Sequence, residues 1–438
     1  MTDSDTTIFA PASGFGRAAL AVIRISGPAA GALVLAVAGV LPPPRRLSLR
    51  TLRDPATGDV LDQALVAWMP GPATFTGEDM AELHLHGGLA VRTAVLRTLC
   101  AHPGCRAAEP GAFTRRAVRN GRMDLTEAEG VADLIDAETE AQRRQALRQL
   151  DGVLGRRVAD WRDRAIGLLA GAEAALDFTD EGDVDDTALD AGLLAGARGL
   201  RDEIAAALAD GRRGERLREG FSVVLAGPPT AGKSTLLNAL AQREAAIVSP
   251  LPGTTRDAIE VRCDLAGLPV ILVDSAGLRE TADPIEAEGI RRTRHRIETA
   301  DLVLELAAAD AEGPTPPIHP GALSVRTKGD LAPTSTGEDA LTVSALTGAG
   351  LDRLLDAIGE RAAAALGGGD ALVTRERHRD ALTRCATHLD RMLSAPAGQP
   401  ELVAEDLRLA VRALGEIGGH VGVDEMLDRL FAGFCIGK

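Results

Sequence analysis

A chain of 438 residues with 45% hydrophobic content is long enough for roughly two to four domains with their own cores, and too apolar for a disordered protein. A formal charge of −15, 2% aromatic residues and no tyrosine exclude a protein that grips nucleic acid through bulk positive charge or a base-stacking platform, so any RNA contact should be local or supplied by a partner. Five cysteines, Cys100, Cys105, Cys263, Cys385 and Cys435, have neither even number nor regular spacing, which argues against a disulfide framework or a four-thiolate zinc site and fits a reducing cytosol.

The opening MTDSDTTIFA is acidic and polar, unlike a signal peptide, and no apolar run reaches the roughly 20 residues of a membrane span. A soluble, cytoplasmic protein is expected. From Ile8 to about Phe113, short β-branched runs such as Leu20 to Ile25 and Leu65 to Trp68 alternate with Gly/Pro turns, predicting a compact α+β domain. Near Asp124 the pattern turns helical. Thr126 with Glu129 reads as a capping box, and Val131, Leu134 and Ile135 begin an apolar stripe. Leu147, Leu150, Leu154, Val158, Trp161, Ile166 and Leu169 extend it, interrupted by Gly152 and Gly155, so long helices are predicted to about Arg218.

At Phe221 strands begin to alternate with helices, at Val223 to Ala226, Val270 to Val273, Leu302 to Leu306 and Ala322 to Val325, which implies a parallel sheet covered on both faces. Helical periodicity returns after Gly367 to Gly369, through Val403, Leu407, Ala410, Val411 and Leu414. The economical architecture is an α/β domain inserted into a helical one and preceded by the α+β domain, with segments 1–119, 120–217, 218–366 and 367–438. His84 and His86 alternate on one strand face, but without a third ligand nearby they read as packing and hydrogen-bonding residues, as do Cys100 and Cys105.

The strand ending at Ala226 runs into Gly227-Pro-Pro-Thr-Ala-Gly-Lys-Ser234 and then a helix from Thr235 to Leu240, a full P-loop pattern. Amides around Thr230, Ala231, Gly232 and Thr235 can cradle phosphates, Lys233 adds a point charge, and Ser234 offers a hydroxyl to Mg2+. P-loops serve ATP and GTP alike, so the base must be read elsewhere. Thr327-Lys328-Gly329-Asp330 follows a predicted strand, and Asp330 can accept two hydrogen bonds from guanine, whereas adenine would leave that carboxylate unpaired. Taken alone this tetrapeptide is as consistent with a solvated turn; its place along the chain favours the base motif, completed by Ser344, Ala345 and Leu346. Asp274-Ser275-Ala276-Gly277 reads as the switch that senses the γ-phosphate, with Asp274 assisting magnesium. Gly253 to Asp257 reads as the other, with Thr255 completing the metal shell. Leu278 stands where Ras-like proteins have the glutamine that positions water, so another group must orient the nucleophile.

Leu278-Arg279-Glu280, Gly253 to Asp257 and the terminal Phe434-Cys435-Ile436-Gly437-Lys438 resemble the MnmE (TrmE) family. So do Leu20 to Gly27 (LAVIRISG), Pro70 to His86 (PGPATFTGEDMAELHLH), Pro110 to Phe113 (PGAF) and Met123 to Ala137 (MDLTEAEGVADLIDA), so that the similarity covers nearly the whole chain. The resemblance implies a folate-binding, dimerising N-terminal domain, a helical domain, and an inserted Ras-like G domain that pairs with a second copy around K+. It implies GTP hydrolysis coupled, with the flavoprotein partner MnmG (GidA), to installation of a (carboxymethyl)aminomethyl group on carbon 5 of the tRNA wobble uridine. The carbon would come from 5,10-methylene-tetrahydrofolate, with 5-formyl-tetrahydrofolate as the alternative ligand.

Carried onto this chain, the family pattern places the folate pocket at Arg24, Glu82, Arg122 and Lys438, with arginine at 122 where the family usually has lysine. Without the resemblance, Arg24 reads as a strand-edge surface charge, Glu82 as a solvated strand residue and Arg122 as an ordinary helix-entry cation. The water-positioning glutamate falls at Glu286, with Glu280 and Glu288 as competitors. A potassium site would be lined by Thr230, Ser249, Leu251 and Thr254, placing charge where the transition state becomes negative. Two departures matter: Thr230 replaces the potassium-ligating asparagine, and Thr327 replaces the base-motif asparagine, removing an amide that steadies the loop and contacts guanine. Cys435 is a catalytic candidate through thiolate chemistry beside Lys438, or else a small buried apolar group. The competing functions are a GTP-regulated ribosome-assembly factor and a folate-sensing regulator that hydrolyses GTP poorly.

Overall fold

The computed structural model describes residues 6–14, 16–178, 191–210, 212–247, 260–275, 291, 294–311, 319–331, 341–369, 371–396, 399–420, 431, 433–434 and 436–437. The chain divides into two compact units, 1–132 with 415–438, and 133–414.

The first unit is built on a six-stranded sheet: β1 (Thr7–Pro11), β2 (Leu20–Ser26), β3 (Ser48–Arg53), β4 (Val60–Met69), β5 (Met80–His86) and β6 (Cys105–Ala107), in the order β3-β4-β5-β2-β1-β6. All pairs are antiparallel except β1 with β6. Side chains alternate along a strand, so β2 sends Ile23 and Ile25 into a core with α1 (Ala30–Ala38) and α2 (Leu89–Cys100) while Arg24 between them faces the other way. On that second face α3 (Ala112–Arg119) packs Phe113 against Ile8, Ala10 and Ala108. The helix that follows, α4 (Leu125–Asp136), is capped two residues earlier than the sequence suggested. Asp124 Oδ1 accepts from Glu127 N at 2.8 Å and Glu127 Oε2 accepts from Asp124 N at 2.8 Å, whereas Thr126 and Glu129 are fully buried. Asp124 caps better than a Thr already inside the first turn. Phe431 and Phe434 stack edge-on with centroids 5.0 Å apart and join Leu125 and Ala128 in a small core.

In the second unit, α5 (Glu140–Leu150), α6 (Val153–Phe178), α7 (Ala191–Leu208) and α8 (Arg213–Glu219) form the helical part with two later helices. Gly152, at φ +74°, separates α5 from α6, whereas Gly155 lies inside α6. A second six-stranded sheet contains β7 (Phe221–Ala226), β8 (Glu260–Leu265), β9 (Leu268–Asp274), β10 (Leu302–Ala308), β11 (Leu323–Thr327) and β12 (Leu341–Thr342), ordered β12-β11-β10-β7-β9-β8. The expected parallel sheet is parallel from β12 to β9, but β8 is an antiparallel edge. It turns into β9 through Ala266 and Gly267, both at positive φ, a two-residue hairpin whose twist matches its strands. Helices α9 (Lys233–Ala241) and α10 (Leu351–Leu366) bury Leu236, Leu237, Leu240, Leu354 and Ile358 in one core with β7, β10 and β11. The remaining helices are α11 (Glu376–Leu393) and α12 (Pro400–Gly418). Among the described residues no helix is long and apolar enough to cross a membrane.

Candidate functional site

Two constellations stand out, one in each unit. In the second unit, the chain leaves β7 toward β8 and β9 on one side and returns from β9 to β10 on the other, so the strand order reverses beside β7, the kind of place where a crevice forms at the carboxyl ends. The P-loop fills it. Gly227 must lack a side chain, since a Cβ would lie 2.5 Å from the Leu306 carbonyl oxygen. The loop ends in the amino terminus of α9, whose unpaired amides and dipole favour an anion. Lys233 is buried there, its Nζ donating to Gly227 O at 3.0 Å and Pro228 O at 3.1 Å. Burial pulls its pKa down and the nearby Asp274 carboxylate opposes that shift. Thr230 takes a left-handed backbone, φ +72°.

Asp274 ends β9 next to this loop. Ser234 Oγ donates to its Oδ2 at 2.5 Å, while Oδ1 is buried without a hydrogen-bond partner among the described residues. A hydroxyl beside an unsatisfied carboxylate oxygen is a donor set that fits a hard divalent cation such as Mg2+. Ser275 is buried and anchors its hydroxyl on Leu225 O, which ties β9 to β7.

The base motif follows β11. Thr327 is buried and its Oγ1 donates to Ala231 O in the P-loop at 2.7 Å, so the hydroxyl ties the two loops together in the absence of an asparagine amide. Lys328, at φ +56°, carries Nζ 3.0 and 3.1 Å from the two Asp310 oxygens. Asp330 Oδ1 accepts from Ser344 Oγ at 2.6 Å, which fixes the carboxylate, and Thr347 N donates to Ser344 Oγ at 3.2 Å. Ala345 and the exposed Leu346 follow in the same loop. Asp310 escaped the sequence reading because it lies beyond the end of a strand with no motif around it.

In the first unit, Arg24 and Glu82 are register partners on adjacent strands, not edge charges. Arg24 Nε and Nη2 donate to Glu82 Oε1 at 3.1 and 3.0 Å, and His84 Nε2 lies 3.3 Å from Glu82 Oε2. The guanidinium sits 5.6 Å from the Phe75 ring centroid and 6.0 Å from that of Phe113. Its Nη1 reaches Gly437 O at 3.5 Å. Gly437, at φ +95°, packs so tightly that a Cβ would lie 2.1 Å from Pro11 O. Arg122 donates from Nε to Thr74 O at 3.0 Å, one residue before Phe75. Three of the four expected folate residues, Arg24, Glu82 and Arg122, thus border one region, joined there by Phe75, Phe113 and His84, whose parts come from separate segments.

Ser249, Leu251, Thr254, Thr255, Ala276, Gly277, Glu280, Glu286, Glu288, Cys435 and Lys438 lie outside the described residues. His86 Nδ1 lies 2.7 Å from Asp62 Oδ1, and no group of three potential metal ligands occurs among the described residues. Cys100, Cys105, Cys263 and Cys385 are free.

The family model described as MnmE helical domain matches residues 125–435, and that described as GTP-binding protein TrmE N-terminus matches residues 7–122. A tRNA modification GTPase MnmE of Methylorubrum populi is 74% identical over 100% of both chains, and one of Methylobacterium radiotolerans is 69% identical over 100% of both. A crystal structure of the G domain of the T. maritima FeoB iron transporter, 26% identical, covers 32% of this chain and 98% of that one at a TM-score of 0.24, too distant to bear on function.

Proposed function

The chain belongs to the MnmE family of tRNA-modification GTPases, and we propose that it is the GTP-hydrolysing component of the system that builds the (carboxymethyl)aminomethyl group on carbon 5 of the tRNA wobble uridine. In this reading it works in the cytoplasm as a homodimer with the flavoprotein MnmG, and a reduced folate, 5,10-methylene-tetrahydrofolate, supplies the carbon. The segments 1–119, 120–217, 218–366 and 367–438 are the proposed folate-binding, helical, G and second helical domains.

The observation that carries the reading is the pairing of Asp330 with Ser344 beside a P-loop tied to Thr327, because a fixed carboxylate at that place reads guanine. Lys233 and the amide-lined loop hold the phosphates, and Ser234 with Asp274 would hold Mg2+, which when bound polarises phosphate oxygens. Thr255 would join them. Glu286 orients the attacking water in this proposal. Thr230, Ser249, Leu251 and Thr254 would line a potassium site, and potassium when bound supplies positive charge between the phosphates. Ala276 and Gly277 complete the γ-phosphate switch.

For the folate, Arg24, Glu82, Arg122 and Lys438 are the proposed polar groups, with Cys435 as a candidate catalytic thiol. The Arg24–Glu82 pair against two phenyl rings supports a ligand that combines a flat ring with polar edges. Exposed Leu20, Leu49 and Leu65 on the same sheet face as Arg24 support a homodimer surface. The test is mass spectrometry of wobble uridines after deletion of the gene, with complementation by the parent and by Lys233→Ala. Loss of the modification, restored by the parent alone, is expected; unchanged uridines in the deletion strain would remove the assignment.

A further inference from the structure

Two arginines grip the loop that carries Phe75. Arg45 Nη2 donates to Ala73 O at 2.5 Å and Arg122 Nε donates to Thr74 O at 3.0 Å, so consecutive carbonyls hold one guanidinium each. Both side chains are exposed, and neither has a carboxylate partner among the described residues. In a chain with 63 acidic residues against 48 Lys and Arg, these two guanidiniums are each held on a carbonyl of one loop and keep further N–H groups for an anion.

These two are not loose. Arg45 has a left-handed backbone, φ +59°, and its own amide donates to Trp68 O at 2.7 Å, so it is pinned at both ends. The stem of Arg122 lies along Gly77, whose Cβ, if present, would meet its Cγ at 3.2 Å. Little conformational freedom is left to lose when an anion arrives, and the remaining N–H groups of each fork match a carboxylate. Their place decides which anion. The same loop presents Phe75 over Arg24 on its inner side and the two arginines at Ala73 and Thr74 beside it.

We propose that Arg45 and Arg122 form a two-guanidinium clamp for the anionic tail of the ligand held at Arg24 and Glu82, so that the site takes an oligo-γ-glutamyl reduced folate in preference to the monoglutamate. The inference rests on the reduced-folate reading of this site. Arg45 is new to the site, and the tail chemistry follows from two positive charges fixed on the loop that carries Phe75.

The experiment compares binding of 5-formyl-tetrahydrofolate and its triglutamate to the full-length protein by calorimetry at low and high salt. The triglutamate should bind about tenfold more tightly at low salt, with the advantage shrinking at high salt. Arg45→Ala and Arg122→Ala should each reduce that ratio and the double variant bring it near unity, while Arg45→Lys keeps part of it; thermal unfolding checks that the variants fold. Equal binding of both forms by the parent protein, with no effect of Arg45→Ala, would overturn the clamp and leave the folate reading standing. No binding of either form by the parent would overturn the folate reading and the clamp with it. A ratio untouched by the double variant, together with weaker tRNA binding, would assign the two arginines to RNA phosphates and overturn the clamp.

Discussion

Thr327 at the end of β11 donates its hydroxyl to the carbonyl oxygen of Ala231 in the P-loop at 2.7 Å, joining the element proposed to read the base to the loop proposed to hold the phosphates. Both groups are buried, so the bond has no water to replace it. Thr327→Ala should lower stability by about 1–3 kcal/mol and weaken GTP binding, because an unpaired buried carbonyl is left in the loop. Thr327→Ser should retain both. Urea unfolding and nucleotide titration of the two variants measure the difference, and equal behaviour of alanine and serine would reduce the hydroxyl to a packing group.

The unsatisfied Oδ1 of Asp274 and the hydroxyl of Ser234 lead to a metal prediction. Asp274→Asn keeps the shape and removes the charge, so the magnesium concentration for half-maximal GTP hydrolysis should rise by about tenfold or more. Ser234→Ala should act in the same direction. Magnesium titrations of the hydrolysis rate read this directly, and an unchanged midpoint in both variants would move the metal elsewhere.

Potassium dependence tests the consequence of Thr230. GTP should be hydrolysed faster in potassium chloride than in sodium chloride at equal ionic strength. Equal rates would count against a potassium site and point to the hydroxyl at 230 as too short a ligand. Glu286→Ala, measured in the same assay, should slow hydrolysis by about a hundredfold, as for loss of a group that positions a nucleophile. A parental rate would reassign that role to Glu280 or Glu288.

Burial pushes the Cys263 thiol up to about 11 and the Cys385 thiol up to about 12, against an ordinary value of 9.0. Folded chains therefore keep these protons to higher pH than unfolded ones. The stabilisation is complete below pH 9.0 and is lost as pH rises toward the folded values, so stability falls with pH in that window. Cys385→Ala should flatten part of that fall in urea unfolding at successive pH values. Iodoacetamide at pH about 8.5 should label the exposed Cys100 and spare Cys263 and Cys385 until denaturant is added. Labelling of Cys385 in the folded protein at a rate similar to Cys100 would contradict its burial.

The P-loop was legible because its chemistry is contiguous: strand, glycines, Lys233 and Ser234 follow one another, and backbone geometry alone forces the cradle. Helical and strand periodicity in the rest of the chain followed from the same local rules, and the order of motifs pointed to guanine. Long-range partners were not legible, since nothing within a few residues of Thr327 names Ala231, and nothing near Arg24 names Glu82, Phe75 or Gly437. Register across a sheet sets those meetings: Arg24 faces Glu82 because β2 and β5 pair at that offset, and a one-residue slip of either strand would put the two on opposite faces. The antiparallel β8 edge and the Asp124 cap were likewise decided by packing and backbone angles that the residue pattern leaves open. Sequence determined which groups the chain carries and where its phosphate-binding pattern lies; tertiary structure decided which charges are fixed, paired or left free, because burial and proximity exist only once distant segments share one surface.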